Sequence, residues 1–567
     1  MSILSISFVA FTIATVIVYY IIPLKWRWLV LLAASCFFYA LSGWQGCIWV
    51  FIVAAVTYAA GLLQHRFRNK EKKLQELADS LYDESPENEV CLSAGEAGSA
   101  DGCPAAECAA EQNSIAADPA GIHNMQQETQ KSRSELLSDQ KKIKNLRKVI
   151  LAVAVVMPVA AMAVTKYYDV IRGWFTALPE LSLIVPLGLS YFTFQCVGYV
   201  VDAYRGKFTP EKNFLKYLLF VTFFPQMTQG PISTFQQLSP QLYEGHRFDP
   251  DNFVSGAQLA LWGFFKKMIL ADRLVAATSA ISLRQPGWMI LLTVIIYAIR
   301  LYADFSGGMD VIRGAAKMLG IDVIENFRRP FFSFSVAEYW RRWHISLGNW
   351  FRSYVFYPIS TSGFGLWLSK TGRKLFGKKA GRALPATVCT IIIFFLIGIW
   401  HGASLNAVIY GLYFGLVMGI DLLLEPVVFK KMKKACHINT DNIFWKIFCM
   451  IRTWILIILP QYFAFTGTPE NGYKLFLYTF KHWQFNDVAQ QFTDINDALE
   501  WYIAAAAFLI MLIVDIICEK KPDLNMKIAK GNFLIRWIII AFLILAVVIF
   551  GCYGTGYDAS AFLYTHF

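Results

Sequence analysis

Long apolar runs recur through the 567 residues and leave the chain few ways to fold in water. They lie at 3–22, 29–42, 46–63, 149–165, 181–201, 253–270, 287–303, 386–400, 405–425, 444–465, 499–518 and 533–551. Most approach the roughly 20 residues an α-helix needs to cross a bilayer. In hydrocarbon a helix satisfies its backbone polar groups within its own segment, so helices are the expected element. The pattern predicts an all-α, polytopic membrane protein with about 11–13 membrane-embedded helices. Shorter runs such as 29–42 fit tilted hairpin arms. The run 214–229 contains Pro225 and ends at Gly230-Pro231, which suits a re-entrant or interfacial segment better than a clean span. The first run, Ile3 to Ile22, has no basic n-region and no small-residue cleavage site, and reads as a first membrane helix.

Composition agrees. Charged residues make up 16% and mean hydropathy is +0.44, whereas a soluble domain carries about 25% charged residues. The 17 Trp fit aromatic belts at membrane interfaces. A net charge of +12 is explained by basic cytoplasmic loops and calls for no nucleic-acid partner. Arg66, Arg68, Lys70, Lys72 and Lys73 follow the third run; Lys141, Lys142, Lys144, Arg147 and Lys148 precede the fourth. Both ends of the connecting loop are thus expected in the cytoplasm. Lys378, Lys379 and Arg382 before 386–400, and Lys430, Lys431, Lys433 and Lys434 after 405–425, make those two runs a hairpin pointing outward. His401 falls near its tip. With Lys520 and Lys521 inside, both termini are expected outside, in a multi-pass protein of the cytoplasmic membrane.

The division this implies is 1–64 as N-terminal membrane helices, 65–148 as a cytoplasmic insertion, and 149–567 as the membrane core with C-terminal helices. The middle of the insertion, 74–139, is rich in Glu, Ala, Ser and Gly and cannot bury a core. It is expected to be largely disordered, with short helices at 66–82 and 131–147. Cys91, Cys103 and Cys108 lie there with only His123 near, in no metal-binding spacing, so no metal is expected.

Three segments carry chemistry. Arg328 to Pro358 interleaves Arg328, Arg329, Glu338, Arg341, Arg342, His344 and Arg352 with Trp340, Trp343 and Trp350. It is too polar to span, and fits either an interfacial helix gripping lipid phosphates or a segment folded into a protein-lined cavity. The second, Ile397 to Asn406, ends an apolar run on His401 beside Gly398, Gly402 and Ala403. An ionisable group at membrane depth is costly and marks a functional position by default; the plainer reading is a histidine bonded to a helix carbonyl. The third holds Arg300, Asp304 and Asp310, where Asp304 could orient a histidine or pair with an arginine, a structural ion pair being the favoured role.

In chain order the segments PLGLSYFTFQ (186–195), VDAYRG (201–206), FPQMTQGPI (224–232), GFFKKMILAD (263–272), YADFSGGMD (302–310), ENFRRPF (325–331), EYWRRWHISLGNWFR (338–352) and GIWHGASLN (398–406) resemble the membrane-bound O-acyltransferase (MBOAT) superfamily. The likeness is to its bacterial branch of alginate O-acetyltransferases and teichoic-acid D-alanyl transfer proteins. WRRWHISL paired with WHGA is the specific part.

The resemblance implies a ring-like arrangement of helices with re-entrant segments and a central funnel. It implies that His401 is catalytic and His344 a second functional position. Trp400, Asn406, Arg341, Asn349, Asp304 and Gln195 then become substrate, oxyanion or tunnel positions. The ending Phe562-Leu-Tyr-Thr-His-Phe567 resembles an F-x-Y-x-x-F tail, making Tyr564 a candidate acyl relay, or else an interfacial aromatic anchor. The implied activity moves a short acyl group, acetyl by preference, from a cytoplasmic thioester to hydroxyls of a surface glycan or polymer. The donor would be acetyl-CoA or an acyl-carrier protein, with no tightly bound cofactor. Partners would be the bilayer, the acceptor polymer, a cytoplasmic acyl carrier and a separate extracytoplasmic esterase-like protein. D-alanyl transfer from a carrier protein, and a transporter or flippase without covalent chemistry, stay open as alternatives.

Overall fold

In the computed structural model the described residues are 3–41, 43–83, 119–175, 179–180, 186–402, 404–464 and 466–553. They are overwhelmingly helical and include no strand. Eight helices among them are long and apolar enough to cross a membrane: Gln45–Leu81, Gln130–Gly173, Gly287–Met318, Leu384–His401, Leu405–Leu424, Ile443–Ala464, Ala498–Lys520 and Phe533–Phe550. The chain is therefore an all-α, multi-pass membrane protein. Other apolar runs take shorter forms. The run at 29–42 is the 14-residue helix Arg27–Ala40, and the run at 214–229 is the 9-residue helix Phe214–Thr222 followed by turns.

The chain forms two compact units. One comprises Ile52–Ala161 and Tyr199–Phe214. Within it, residues 64–83 extend the helix of the run 46–63 and residues 130–148 lead into the helix of the run 149–165, because Lys, Glu, Gln, Leu and Ala favour helix. Arg147 pairs with Glu71, and Gln64 donates to the Arg147 carbonyl at 2.8 Å.

The other unit comprises Met1–Phe51, Met162–Gly198 and Leu215–Phe567. Two helix pairs in it approach closely through glycine. Helix Pro250–Phe264 meets Gly287–Met318 where a Cβ on Gly263 would lie 2.5 Å from the Gly307 carbonyl. Leu384–His401 meets Leu405–Leu424 where a Cβ on Gly411 would lie 2.3 Å from the Phe394 carbonyl. Small residues of this kind let membrane helices pack backbone to backbone. The run expected at 253–270 is interrupted by a π-helical turn, Phe265–Ala271, whose seven residues are all buried. Its two lysines explain the turn. Lys267 bridges Asp272 at 2.7 Å and Asp304 at 2.5 Å, and Lys266 reaches Asp310 at 2.8 Å and Ser306 at 2.9 Å.

Lys267→Met leaves two buried carboxylates without their shared cation, a change of about 3–5 kcal/mol by the cost of breaking buried pairs. A thermal melt of the purified variant should fall well below wild type. An unchanged melt would mean the cluster does not support the fold.

Candidate active site

The hairpin of Leu384–His401 and Leu405–Leu424 sets the first wall of the site. Pro385 opens the first helix, which ends where Gly402 turns extended at φ −170°. Ser404 then caps the second helix, accepting from the Ala407 N–H at 3.2 Å. His401 is thus the last helical residue and is half-buried, while Trp400 beside it is buried.

The second wall is the charged, aromatic segment. Ser335 caps helix Val336–Arg342 by accepting from the Glu338 N–H at 3.1 Å. The helix breaks at Trp343, and His344 adopts the left-handed conformation at φ 45° before helix Ile345–Phe351 begins. Asn326, fully buried, holds this break. Its carbonyl oxygens receive the Ile345 N–H at 3.0 Å through the backbone and the Ser346 N–H at 2.9 Å through the side chain. Two of the amides a helix start leaves open are thereby met. The Trp343 ring packs on Phe327 and Tyr339, with centroids 4.9 and 5.6 Å away.

These walls bring the two histidines to one place. The His344 ring centroid lies 6.2 Å from Trp400, and Trp400 lies 4.7 Å from His401. Phe305 meets His344 edge-on at 5.0 Å. Phe194 packs on Trp400 at 5.7 Å, and its carbonyl accepts from Trp350 Nε1 at 2.9 Å. Burial pulls the His344 imidazole well below its ordinary pKa, and the neighbouring His401 pushes the same way. His344 is therefore a neutral ring near neutral pH.

Polar groups line the same segments. Ser346 Oγ accepts from the Ile232 N–H at 3.0 Å, tying the histidine segment to 224–233. There Gln226 Oε1, Thr228 Oγ1 and both amide atoms of Gln229 are buried with no hydrogen-bond partner among the described residues, as is Thr193 Oγ1 nearby in sequence to Phe194. Buried polar atoms of this kind are ordinarily met by water or ligand.

The remaining expected residues are more dispersed. Gln195 is buried next to Phe194. Asn406 donates its side-chain amide to the Thr466 carbonyl. Asp304 is buried in a structural ion pair, the role the sequence favours for it, with Lys267 as the cation. Arg341 and Asn349 face a cavity of about 410 Å³, lined also by Arg328, Arg342, Arg352 and Glu519 and by neither histidine. Glu519 there binds Arg342 at 2.8 Å and Arg329 at 2.7 Å. Tyr564 lies outside the described residues, as do Cys91, Cys103 and Cys108. Among the described residues no group of three or more His, Cys, Asp or Glu is placed to hold a metal ion. Two neighbours of His401 were not anticipated. Tyr167 donates to the Ile399 carbonyl, and Lys166 donates to the carbonyls of Trp400 and, at 3.3 Å, His401. The available signal was a lysine immediately after the run 149–165.

Comparison with known proteins gives a consistent picture. Residues 187–371 match the membrane-bound O-acyltransferase family model. That stretch includes His344 and stops short of His401. A Pseudomonas aeruginosa protein named "probable alginate O-acetylase AlgI" is 33% identical over 276 residues, 47% of this chain and 49% of that protein. A Helicobacter pylori peptidoglycan O-acetyltransferase is 28% identical over 44% of this chain and 49% of its own length. A Bacillus subtilis teichoic acid D-alanyltransferase is 28% identical over 51% of this chain and 71% of its own length. The chain spans about half the length of the alginate relatives it matches.

Asn326→Ala strips the Ser346 amide of its buried acceptor, which costs about 1–3 kcal/mol and should lower the melting temperature. His344 also gives stability a pH dependence. The folded state holds it neutral, so the unfolded chain binds the extra proton as pH drops. Its contribution is present above about pH 6.5 and is lost below that. His344→Gln should therefore melt with a shallower pH dependence than wild type between about pH 7 and pH 5. Parallel curves would argue against a buried neutral ring.

Proposed function

We propose that this chain, whose residues 187–371 form an MBOAT-family domain, is a membrane O-acyltransferase that uses His401 as general base. The observation that carries the reading is the convergence of His401 and His344 on the Trp400 ring, from segments 57 residues apart in sequence numbering (401 − 344). Imidazole suits the task, because the neutral ring presents a basic nitrogen that can take a proton and return it within one turnover.

In this mechanism an acceptor hydroxyl gives its proton to His401. Its oxygen attacks the carbonyl carbon of an acyl thioester, and the carbonyl π electrons move to oxygen. Collapse breaks the C–S bond. The thiolate leaves and recovers a proton from the imidazolium, so the ring returns neutral. A donor hydrogen bond to the transient oxyanion would come from His344 or a nearby backbone amide. The partnerless polar atoms of Thr193, Gln226, Thr228 and Gln229 suit a hydrated passage through the buried interior.

The acyl group assigned is a short one, acetyl by preference, drawn from acetyl-CoA or an acyl-carrier protein on the cytoplasmic face. The acceptor is a hydroxyl of a surface glycan or polymer, with a separate extracytoplasmic protein completing delivery. Support comes from relatives named for O-acetylation of alginate and peptidoglycan. D-alanyl transfer is the second reading, favoured by the 71% coverage of the teichoic acid enzyme.

The test is mass analysis of surface glycan from cells carrying wild type, His401→Ala or no protein. Wild type should add an ester that the variant lacks, with transfer reduced at least about 100-fold. The ester's mass separates acetyl from alanyl. Equal esterification by His401→Ala would remove His401 from the chemistry.

A further inference from the structure

The last turn of a helix leaves four carbonyls without partners, and at membrane depth each is costly. At the end of Leu384–His401 all four are accounted for. The Gly398 carbonyl accepts from the Gly402 N–H at 3.3 Å. Ile399 is met by the Tyr167 hydroxyl, and Trp400 and His401 by the Lys166 ammonium. Two adjacent residues of one helix, Pro119–Trp174, thus close the end of another 234 residues away (400 − 166). The ammonium also lies 5.5 Å from the centre of the Trp400 ring, a cation–π contact. Its charge opposes the negative end of the helix dipole. A lysine in an apolar helix is itself costly and calls for a reason.

We propose that Lys166 is a positioning residue for His401. The proposal rests on the reading of His401 as the base. The clamp fixes the terminal turn, and with it the angle at which both the Trp400 indole and the His401 imidazole leave the backbone. Small misplacements of a reacting group carry large rate penalties, so loss of the clamp should be read in turnover before binding.

The experiment compares full-length wild type, Lys166→Met, Lys166→Arg and Tyr167→Phe in nanodiscs. Acetyl-CoA is the donor probe and a cell-wall fraction the acceptor. Lys166→Met should lower kcat about 10- to 100-fold with KM for acetyl-CoA within about twofold. Lys166→Arg, which still donates to carbonyls, should recover most of the rate. Hydrogen exchange supplies a readout independent of activity. Amides 398–402 should exchange faster in Lys166→Met, with the helix Leu405–Leu424 unchanged. Wild-type kcat in Lys166→Met, or unchanged exchange at 398–402, overturns the proposal. So does equal failure of Met and Arg with faster exchange throughout the chain, which would make Lys166 a residue of the fold alone. If wild type itself transfers nothing, the acyl-transfer reading fails, and the exchange comparison still decides whether Lys166 holds the His401 turn.

Discussion

A carbonyl buried without a hydrogen bond costs about 2–7 kcal/mol, and that penalty governs where a helix can stop inside a membrane. The helix that carries His401 stops at Gly402, next to the residue assigned the chemistry. It can do so because a lysine and a tyrosine from another helix take up the carbonyls that the break exposes. The hairpin geometry and the placing of Trp400 and His401 at a helix end follow from that closure. A helix continued through Gly402 would need no such partners, and would leave the imidazole on a helix flank.

The same bargain appears at His344. There the helix breaks by a left-handed residue, and Asn326 receives the amides that the new helix start leaves open. Two helix ends, one supplying carbonyls and the other amides, meet around an aromatic cluster of Phe194, Phe305 and Trp400. Aromatic rings exclude bulk water while tolerating a polar group at their edge. The buried amides and hydroxyls of 224–233 add polar character to an otherwise apolar interior. An acyl-transfer site gains from this combination, since a dry interior strengthens the hydrogen bonds its polar groups offer.

Local signals carried much of this. Apolar runs marked most of the helices, since a span needs about 20 residues, but eight described helices are long and apolar enough to cross and other runs are shorter or broken. His401 stood out because an ionisable residue closes an apolar run, and His344 because charge and rings alternate around it. Pairings distant in sequence were not legible. An ion pair at Asp304 is legible, but not that its cation is Lys267, supplied by a π-helical turn that no hydropathy pattern reveals. Lys166 and Tyr167 looked like the polar margin of a span, because nothing near them in sequence announces the carbonyls they meet. Arg341 and Asn349 share a segment with His344, but helix geometry turns them toward a charged cavity that neither histidine lines.

The central claim is covalent transfer across the membrane through His401. Proteoliposomes test it most directly, with radiolabelled acetyl-CoA on the cytoplasmic face and soluble glycan acceptor on the other. Label should appear as glycan ester with wild type and vanish with His401→Ala, while the acetyl-CoA pool falls in step with ester formed. Passage of intact substrate without ester, at the same rate in both proteins, would contradict the account.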